Sequence, residues 1–404
     1  MTSPGTAEDA PPARRNGPAP AGGEARAPAN RPPAAGAGRR IAIVLHHDAC
    51  RDYADGGSIG GVARDILEET QPEWDVWLFG PAEAAPPLAG AGYHPIRPGW
   101  LDRAWGAKRG YRSALLRALR SFAPALAEVH ISPVLAARLR RAVPGLRVVW
   151  VVHNTLDHMA AERLRWLSGV DAAVCVSDAV RASLLAGLPE GLARRAVTIH
   201  NAIRGLPPAA PVGAREPVIL FAGRIVPEKG VDAFLAAAER LSGALPGWSF
   251  EIHGAPRQDT PPEFVRQCRA MADAAGVAWR GHTAPALLRE RLAQVAIVVV
   301  PSRSGEGLPR IAQEAIGCGA AVVASHCPGL PEALGDAALT ADPDEADALA
   351  QAIARLARDP ELRADLAERG QRQARAFAPA SIAARWTALR RSLLDASHPE
   401  PTRP

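Results

Sequence analysis

Glu306 and Glu314 stand eight positions apart in PSRSGEGLPRIAQE, the stretch from Pro301 to Glu314, and Arg224 and Lys229 stand five apart in FAGRIVPEKG. A carboxylate is a poor ligand for phosphate and a good acceptor for paired hydroxyls. An arginine fork and a lysine point charge suit the two phosphates of a diphosphate. Together the four residues describe a site for a ligand that carries both phosphate and sugar. The plainer reading of the cations is a solvated turn with ordinary charges. Against it, Lys108 and Lys229 are the only two lysines among 47 basic residues, so a lysine in this turn is less easily an accident.

These residues need elements to hold them. The apolar run Ala296–Val300 predicts a fully buried parallel strand, after which Ser302, Gly305 and Gly307 free the backbone and Pro309 suits the first position of a helix over Arg310–Gly317. Such a helix start offers unpaired N–H groups and a positive dipole end to a phosphate. A second buried strand, Val218–Ala222, ends at Gly223, and Gly230 leads into a helix over Val231–Leu241. Both cations then lie at the C-terminal rim of the sheet, where open α/β sheets bind ligands.

The rest of the chain repeats this alternation. In the first half, strands are expected at Arg39–His47, Asp75–Phe79, Tyr93–Ile96, Leu126–Ile131, Arg147–His153, Ala172–Ser177 and Ala196–His200, with a helix from about Val62 to Thr70. The second half adds strands at Ser249–His253, Val277–Arg280 and Ala320–Ala324. Its helices are expected near Pro262–Ala275, Pro285–Ala293, Glu345–Ala357, Glu361–Ala376 and Ser381–Asp395. The 404 residues, 48% hydrophobic, suffice for two domains. We read a Pro/Ala/Arg-rich disordered tail over 1–38, a Rossmann-like domain over 39–204 and a linker over 205–216. A second Rossmann-like domain over 217–378 follows, then a last helix over 379–395 and a short disordered tail over 396–404. The fold class is α/β, with two such domains facing across a cleft.

Composition excludes several functions. Of the net charge of +5, +3 belongs to the first forty residues, too little remaining on the folded part for a nucleic-acid binder. The five cysteines form no CxxC pair, which predicts reduced, buried thiols and no zinc site. No apolar run approaches the ~18 residues of a spanning helix, and the first forty residues lack the apolar core of a secretion signal; the expected location is cytoplasmic. Gly56-Gly57-Ser58-Ile59-Gly60-Gly61 misses the dinucleotide fingerprint GxGxxG at Ser58, which argues against a dehydrogenase. The DxD of Asp342-Pro343-Asp344 reads as a helix-capping loop, so no metal site is assigned.

GRIVPEKG, then SRSGEGLPRIAQEA with its E-x7-E spacing, then CGAAVVASHCPGLPEAL resemble the retaining glycosyltransferases of family 4, which have the GT-B fold. The resemblance runs over roughly residues 40 to 395, strong in the second domain and loose in the first. It implies a donor diphosphate held by Arg224 and Lys229 in place of a metal, Glu306 against the donor sugar and Glu314 on the nucleotide ribose. It also implies a glycine loop at Gly56 and Gly57, and His153 of VVHN on the donor sugar. Gly223, Gly254, His282, Gly307 and Leu308 complete the expected donor-binding set. The family often has glycine where Pro309 stands, and its usual NG-x-D before the linker reads Asn201-Ala202-Ile203-Arg204 here.

The expected activity is retaining, metal-independent transfer of a sugar from a nucleotide diphosphate sugar to a hydroxyl acceptor in glycan, polysaccharide or glycolipid synthesis, with no cofactor. The alternatives are a nucleotide-sugar epimerase on the same architecture and a non-catalytic nucleotide-sugar sensor. His130 and His282 are read as structural unless the family places them, and His46 and His47 alternate across their strand and cannot share a ligand. Leu101 to Phe122 puts Leu101, Trp105, Tyr111, Leu115, Leu119 and Phe122 on one helical face among basic residues. That pattern suits either a helix packed on a sheet or one lying on an anionic membrane surface.

Overall fold

The computed structural model describes residues 39–46, 58–68, 74–82, 92–100, 102, 106–304 and 306–395. The two tails, Cys50, Gly56, Gly57, His47, Leu101, Trp105 and Gly305 lie outside them. The first half runs β1 (Arg39–Val44), α1 (Ser58–Glu68), β2 (Trp74–Pro81), β3 (Tyr93–Ile96), α2 (Ala107–Phe122), β4 (Leu126–His130), α3 (Pro133–Ala142), β5 (Arg147–Val152), α4 (Ala160–Ser168), β6 (Ala172–Cys175), α5 (Asp178–Leu185) and β7 (Ala196–Thr198). The second half runs β8 (Glu216–Ala222), α6 (Val231–Leu241), β9 (Ser249–His253), α7 (Pro262–Ala274), β10 (Ala278–Gly281), α8 (Pro285–Gln294), β11 (Val295–Val300) and α9 (Arg310–Gly317). It continues with β12 (Ala321–Ala324), α10 (Leu330–Leu334), β13 (Ala338–Thr340), α11 (Ala346–Arg358), α12 (Pro360–Ala374) and α13 (Pro379–Asp395).

All strand pairs are parallel, in the orders β3-β2-β1-β4-β5-β6-β7 and β10-β9-β8-β11-β12-β13. In each sheet the order reverses beside the first strand, so the crevices of interest open at the C-terminal ends of β1 and β4 and of β8 and β11. The strands are nearly solid apolar runs because helices cover both faces; β11 (VAIVVV) is buried at every residue. One apolar cluster joins the halves, combining Val152 and Val176 with Leu308, Leu330 and Phe377. Cys175, Cys268, Cys318 and Cys327 are free and buried.

Two expectations need correction, and a pair of readings left open is narrowed. Pro309 is the residue before the first helical turn, in an extended conformation, and Arg310 takes the first position. α1 begins at Ser58, so Gly60 and Gly61 are helical and do not belong to a loop. In the basic amphipathic stretch, α2 buries Tyr111, Leu115 and Leu119 in the domain core. The apolar face that would enter a membrane is already occupied by the sheet. β13, only three residues long, was not expected.

Two arginines fasten the parts that the chain must bring together. Arg215, in the segment between the halves, is buried and donates to the carbonyls of Leu292 at 3.2 Å, Val295 at 2.7 Å and Cys318, fixing the segment to the second sheet's helices. Arg390 of α13 reaches back to Glu128 of β4 through two hydrogen bonds of 2.8 and 3.0 Å, with both side chains essentially sealed from solvent. Breaking such a pair leaves a buried charge. Arg390→Met is therefore expected to cost about 3–5 kcal/mol in a urea unfolding experiment, and adding Glu128→Leu is expected to return most of it. A single variant as stable as the parent would refute the role given to this pair.

Candidate active site

Gly223 follows β8 and its N–H donates to the His253 carbonyl at 3.0 Å, which ties the end of β8 to that of β9. The chain then turns: Val226 N–H reaches the Arg224 carbonyl and Lys229 N–H the Val226 carbonyl, both at 3.0 Å. Ile225 is buried, and Arg224 is left exposed with no partner for its guanidinium among the described residues. Gly230 closes the turn at φ 67°, and a Cβ there would fall 2.0 Å from the Pro301 carbonyl oxygen. Only glycine meets both conditions, so this turn can press against the loop that follows β11.

That contact places Lys229 on Glu306. The Lys229 ammonium pairs directly with Glu306 Oε1, which also accepts from Ser302 Oγ at 2.7 Å. Both charged groups are largely shielded from water, which strengthens their attraction and fixes the carboxylate's orientation. Arg303 secures the geometry: it donates to Asp232 at 2.7 and 3.0 Å, to Asp344 at 2.6 Å and to the Pro227 carbonyl at 3.0 Å. These bonds hold its pKa above its ordinary value and stitch the two turns together. Asp342 in turn caps Asp344 N–H at 2.9 Å, so the DxD serves this scaffold.

Glu314 lies one helix inward. Its Oε1 accepts from Arg310 at 3.3 Å and sits 3.6 Å from the Arg289 guanidinium, while Arg310 also bonds Asp65 of α1 at 2.7 Å. The Arg310 guanidinium passes beside Gly61, where a Cβ would be 3.4 Å from it. Glu314 thus belongs to an ion chain, Asp65–Arg310–Glu314–Arg289, that crosses between the halves.

The second crossing is tighter. A Cβ on Gly307 would fall 1.8 Å from the His153 carbonyl oxygen, and Ser177 Oγ donates to the Gly307 carbonyl at 2.6 Å. Leu308 is buried in the shared apolar cluster. His153 therefore stands beside the loop that carries Glu306. Its Nε2 lies 3.0 Å from Nδ1 of His130, with the rings stacked. His130 is wholly buried and its Nε2 has no partner among the described residues. A buried N–H without an acceptor costs more than an unused ring lone pair, so the hydrogen-bond pattern assigns the shared proton to His130 Nδ1. His153 then carries its own N–H on Nδ1.

The structure thus brings Lys229, Glu306, Gly307 and His153 together, with Arg224 on the adjoining turn. Gly254 serves packing: a Cβ there would sit 1.9 Å from the Gly223 carbonyl oxygen. His282 is exposed after β10, two strands out along the rim. Gly56 and Gly57 lie outside the described residues. Arg303, Arg310 and Asp65 were not singled out from the sequence, and Ser302 was read only as a turn residue. The serine and arginine next to the glutamate motif were a visible signal, but their partners lie far away in the chain.

Burial lowers the His153 pKa from 6.5 to about 4, and burial followed by His153 itself puts His130 well below the ordinary value. Between pH 4 and 6.5 the unfolded chain binds more protons than the folded one, so stability rises with pH across this window. The contribution is complete above the unfolded pKa and is lost as pH falls through the folded one; for His153 it is on the order of 3 kcal/mol. Urea midpoints measured from pH 7.5 down to 4.5 are expected to fall steeply for the parent and more gently for His153→Asn. Equal slopes would mean the ring is not held neutral by burial.

Two sequence families match the chain: "Glycosyl transferases group 1" over residues 208–373 and "Glycosyltransferase Family 4" over residues 59–204. Among curated relatives, a D-inositol 3-phosphate glycosyltransferase of Mycobacteroides abscessus is 42% identical over 130 residues, 30% of this chain and 27% of that protein. The counterpart from Acidothermus cellulolyticus is 36% identical over 161 residues, 37% of this chain and 35% of that protein. The matches thus span about a quarter to a third of those relatives' lengths. Among solved structures, Anabaena HepE in complex with UDP superposes with TM-score 0.69 at 17% identity over 88% of this chain and 100% of that one. Sucrose-phosphate synthase of Thermosynechococcus elongatus gives 0.68 at 20% identity over 89% of this chain and 100% of its own. Two parallel-sheet domains, a glutamate loop locked between them and matches to the family's two halves lead to one assignment: the chain belongs to the family 4-type glycosyltransferases of GT-B fold.

Proposed function

We propose that the protein transfers a sugar, with retention of configuration and without a metal ion, from a nucleotide diphosphate sugar to a hydroxyl acceptor. The observation that carries this reading is the Lys229–Glu306–Ser302 cluster next to Arg224, which has no partner among the described residues, at the sheet's reversal point. Breaking a sugar–phosphate bond builds positive charge on the anomeric carbon and negative charge on the departing diphosphate. In this reading Lys229, held by Glu306, and Arg224 on the adjoining turn supply positive charge where that negative charge develops, and charge already oriented, as on Lys229, lowers the barrier without reorganisation.

Glu306 is committed to Lys229 and Ser302, which suits a carboxylate that orients the donor sugar and the ammonium more than one that attacks carbon. With no free carboxylate assigned as nucleophile, the released phosphate oxygen is the base that takes the acceptor's proton, on the face the leaving group occupied. Retention follows from that geometry. His153, neutral with its N–H on Nδ1, is suited to donate to a donor-sugar hydroxyl. Glu314 is suited to accept from the ribose through Oε2, since the contacts of Arg310 and Arg289 fall on Oε1. HepE was solved with UDP and with UDP-glucose, so uridine donors are the first to try. Polysaccharide or glycolipid synthesis is the proposed setting.

The test is a panel of UDP-, GDP- and ADP-sugars with and without EDTA, read by melting temperature and by sugar transfer. A donor at 100 times its Kd is expected to add about 2.7 kcal/mol of stability, unaffected by EDTA. Lys229→Ala is expected to abolish that gain and to lower kcat by roughly 10²–10³. Loss of transfer in EDTA would remove the metal-free part of the reading. Binding without any turnover would leave a nucleotide-sugar sensor.

A further inference from the structure

Four charged side chains run in a line from the first half to the segment between the halves. Asp65 Oδ2 of α1 accepts from Arg310 Nη1 at 2.7 Å, Arg310 Nη2 donates to Glu314 Oε1 at 3.3 Å, and the Arg289 guanidinium of α8 stands 3.6 Å from the same oxygen. Arg289 Nε in turn donates to the Gly205 carbonyl at 3.2 Å. Asp65 and Glu314 are buried, and the Arg310 side chain is almost so. Gly61 precedes Asp65 by one helical turn on the same face of α1, and its bare backbone lies beside the Arg310 guanidinium. A second bond reinforces the crossing: Gln313, next to Glu314 on α9, donates its side-chain N–H to the Asn201 carbonyl at 3.2 Å.

Arg310 is divided between two carboxylates, one terminal nitrogen to each, and its bond to Asp65 is the shorter. Both arginines meet Glu314 at Oε1, and Oε2 has no hydrogen-bond partner among the described residues. A guanidinium grips a carboxylate best with two parallel bonds. Arg310 cannot do this to Glu314 while Nη1 is on Asp65. Without the Asp65 charge, Glu314 is the one carboxylate left in ion-pair contact with Arg310 among the described residues, and the fork can close on both of its oxygens.

We infer that Asp65 is a positioning residue for the donor: it holds Arg310 to one oxygen of Glu314 and so keeps Oε2 clear for ribose hydroxyls. The inference rests on the ribose role proposed for Glu314. Asp65 lies in the first half and Glu314 in the second, so the half that does not carry the glutamate loop sets how the nucleotide is recognised. With α1 against α9, Arg310 is drawn off the carboxylate; with them apart, it is free to cover it. A nucleotide that needs Oε2 therefore favours the docked arrangement, because its affinity differs between the two.

The test uses the full chain and calorimetry with UDP, GDP and ADP, then with the 2′,3′-dideoxy form of each one that binds. The parent is expected to hold the ribonucleotide roughly tenfold or more above its dideoxy form, the scale of hydroxyls bonded to a carboxylate. In Asp65→Asn that ratio is expected to fall to about twofold, with the affinity for the dideoxy form unchanged. Two variants are expected to recover most of it: Asp65→Glu, which keeps the charge, and Asp65→Asn/Arg310→Gln, which removes the competing fork while Arg289 still holds Oε1. A merely structural role of Asp65 gives no such recovery. Melting curves without ligand check folding, and Asp65→Ser makes the same comparison if Asp65→Asn does not fold. A ratio unchanged in Asp65→Asn, an equal loss for both nucleotide forms, or no recovery in the double variant overturns the inference alone. A parent that binds the diphosphate but does not distinguish its dideoxy form defeats the ribose role and this inference together, with donor capture by Arg224 and Lys229 left standing. Binding of no nucleoside diphosphate at all defeats the glycosyltransfer reading itself.

Discussion

At Gly307 there is no room for a side chain. The backbone of the glutamate loop lies against the carbonyl of His153 at the end of β5, so the two halves meet through main chain at the very place where the reactive groups gather. A methyl group there would separate Glu306 from His153. Everything else at the interface works within that distance: Ser177 bonds the Gly307 carbonyl, Leu308 fills the shared core, and Gly329 is equally hemmed in, a Cβ there falling 2.2 Å from the Gly307 oxygen. Charge then refines what packing has set. Lys229 and Ser302 aim the Glu306 carboxylate, and Arg303 keeps their two turns in register.

How much of this is written locally can be judged element by element. β9 and α6 end where periodicity and flanking glycines place them, because β9 (SFEIH) alternates polar and apolar residues and α6 carries a helical apolar stripe, each between turn residues. β13 escapes because three residues in an alanine-rich segment carry no alternation. Arg224, Lys229, Glu306 and Glu314 are visible as residue types at set spacings. What the spacing leaves out is their mutual bonding: that Lys229 pairs with Glu306, and that Glu314 is shared with two arginines.

Partners that lie far apart in the chain are the hardest to read. His130 and His153 come from adjacent strands, and nothing in either strand's sequence says that the rings stack. Glu128 and Arg390 are 262 positions apart, each an ordinary charge until the last helix folds back. α2 shows the opposite difficulty. One apolar face bordered by arginines is the pattern of a helix on a sheet and of a helix on a membrane, and only the burial of Tyr111, Leu115 and Leu119 decides between them.

The chain passes between the two halves twice, once through the segment before β8 and once just before α13, and the two passages touch: Ile203 N–H donates to the Phe377 carbonyl at 3.1 Å, and the His200 ring meets the Phe377 ring edge-on. A single covalent crossing would act as a swivel. Two crossings bonded side by side act as a pin, which leaves rotation about one line soft and makes twisting or sliding break hydrogen bonds. Any rotation of one half against the other would turn about Ile203 and Phe377, and the contacts farthest from that pin would separate most for a given angle.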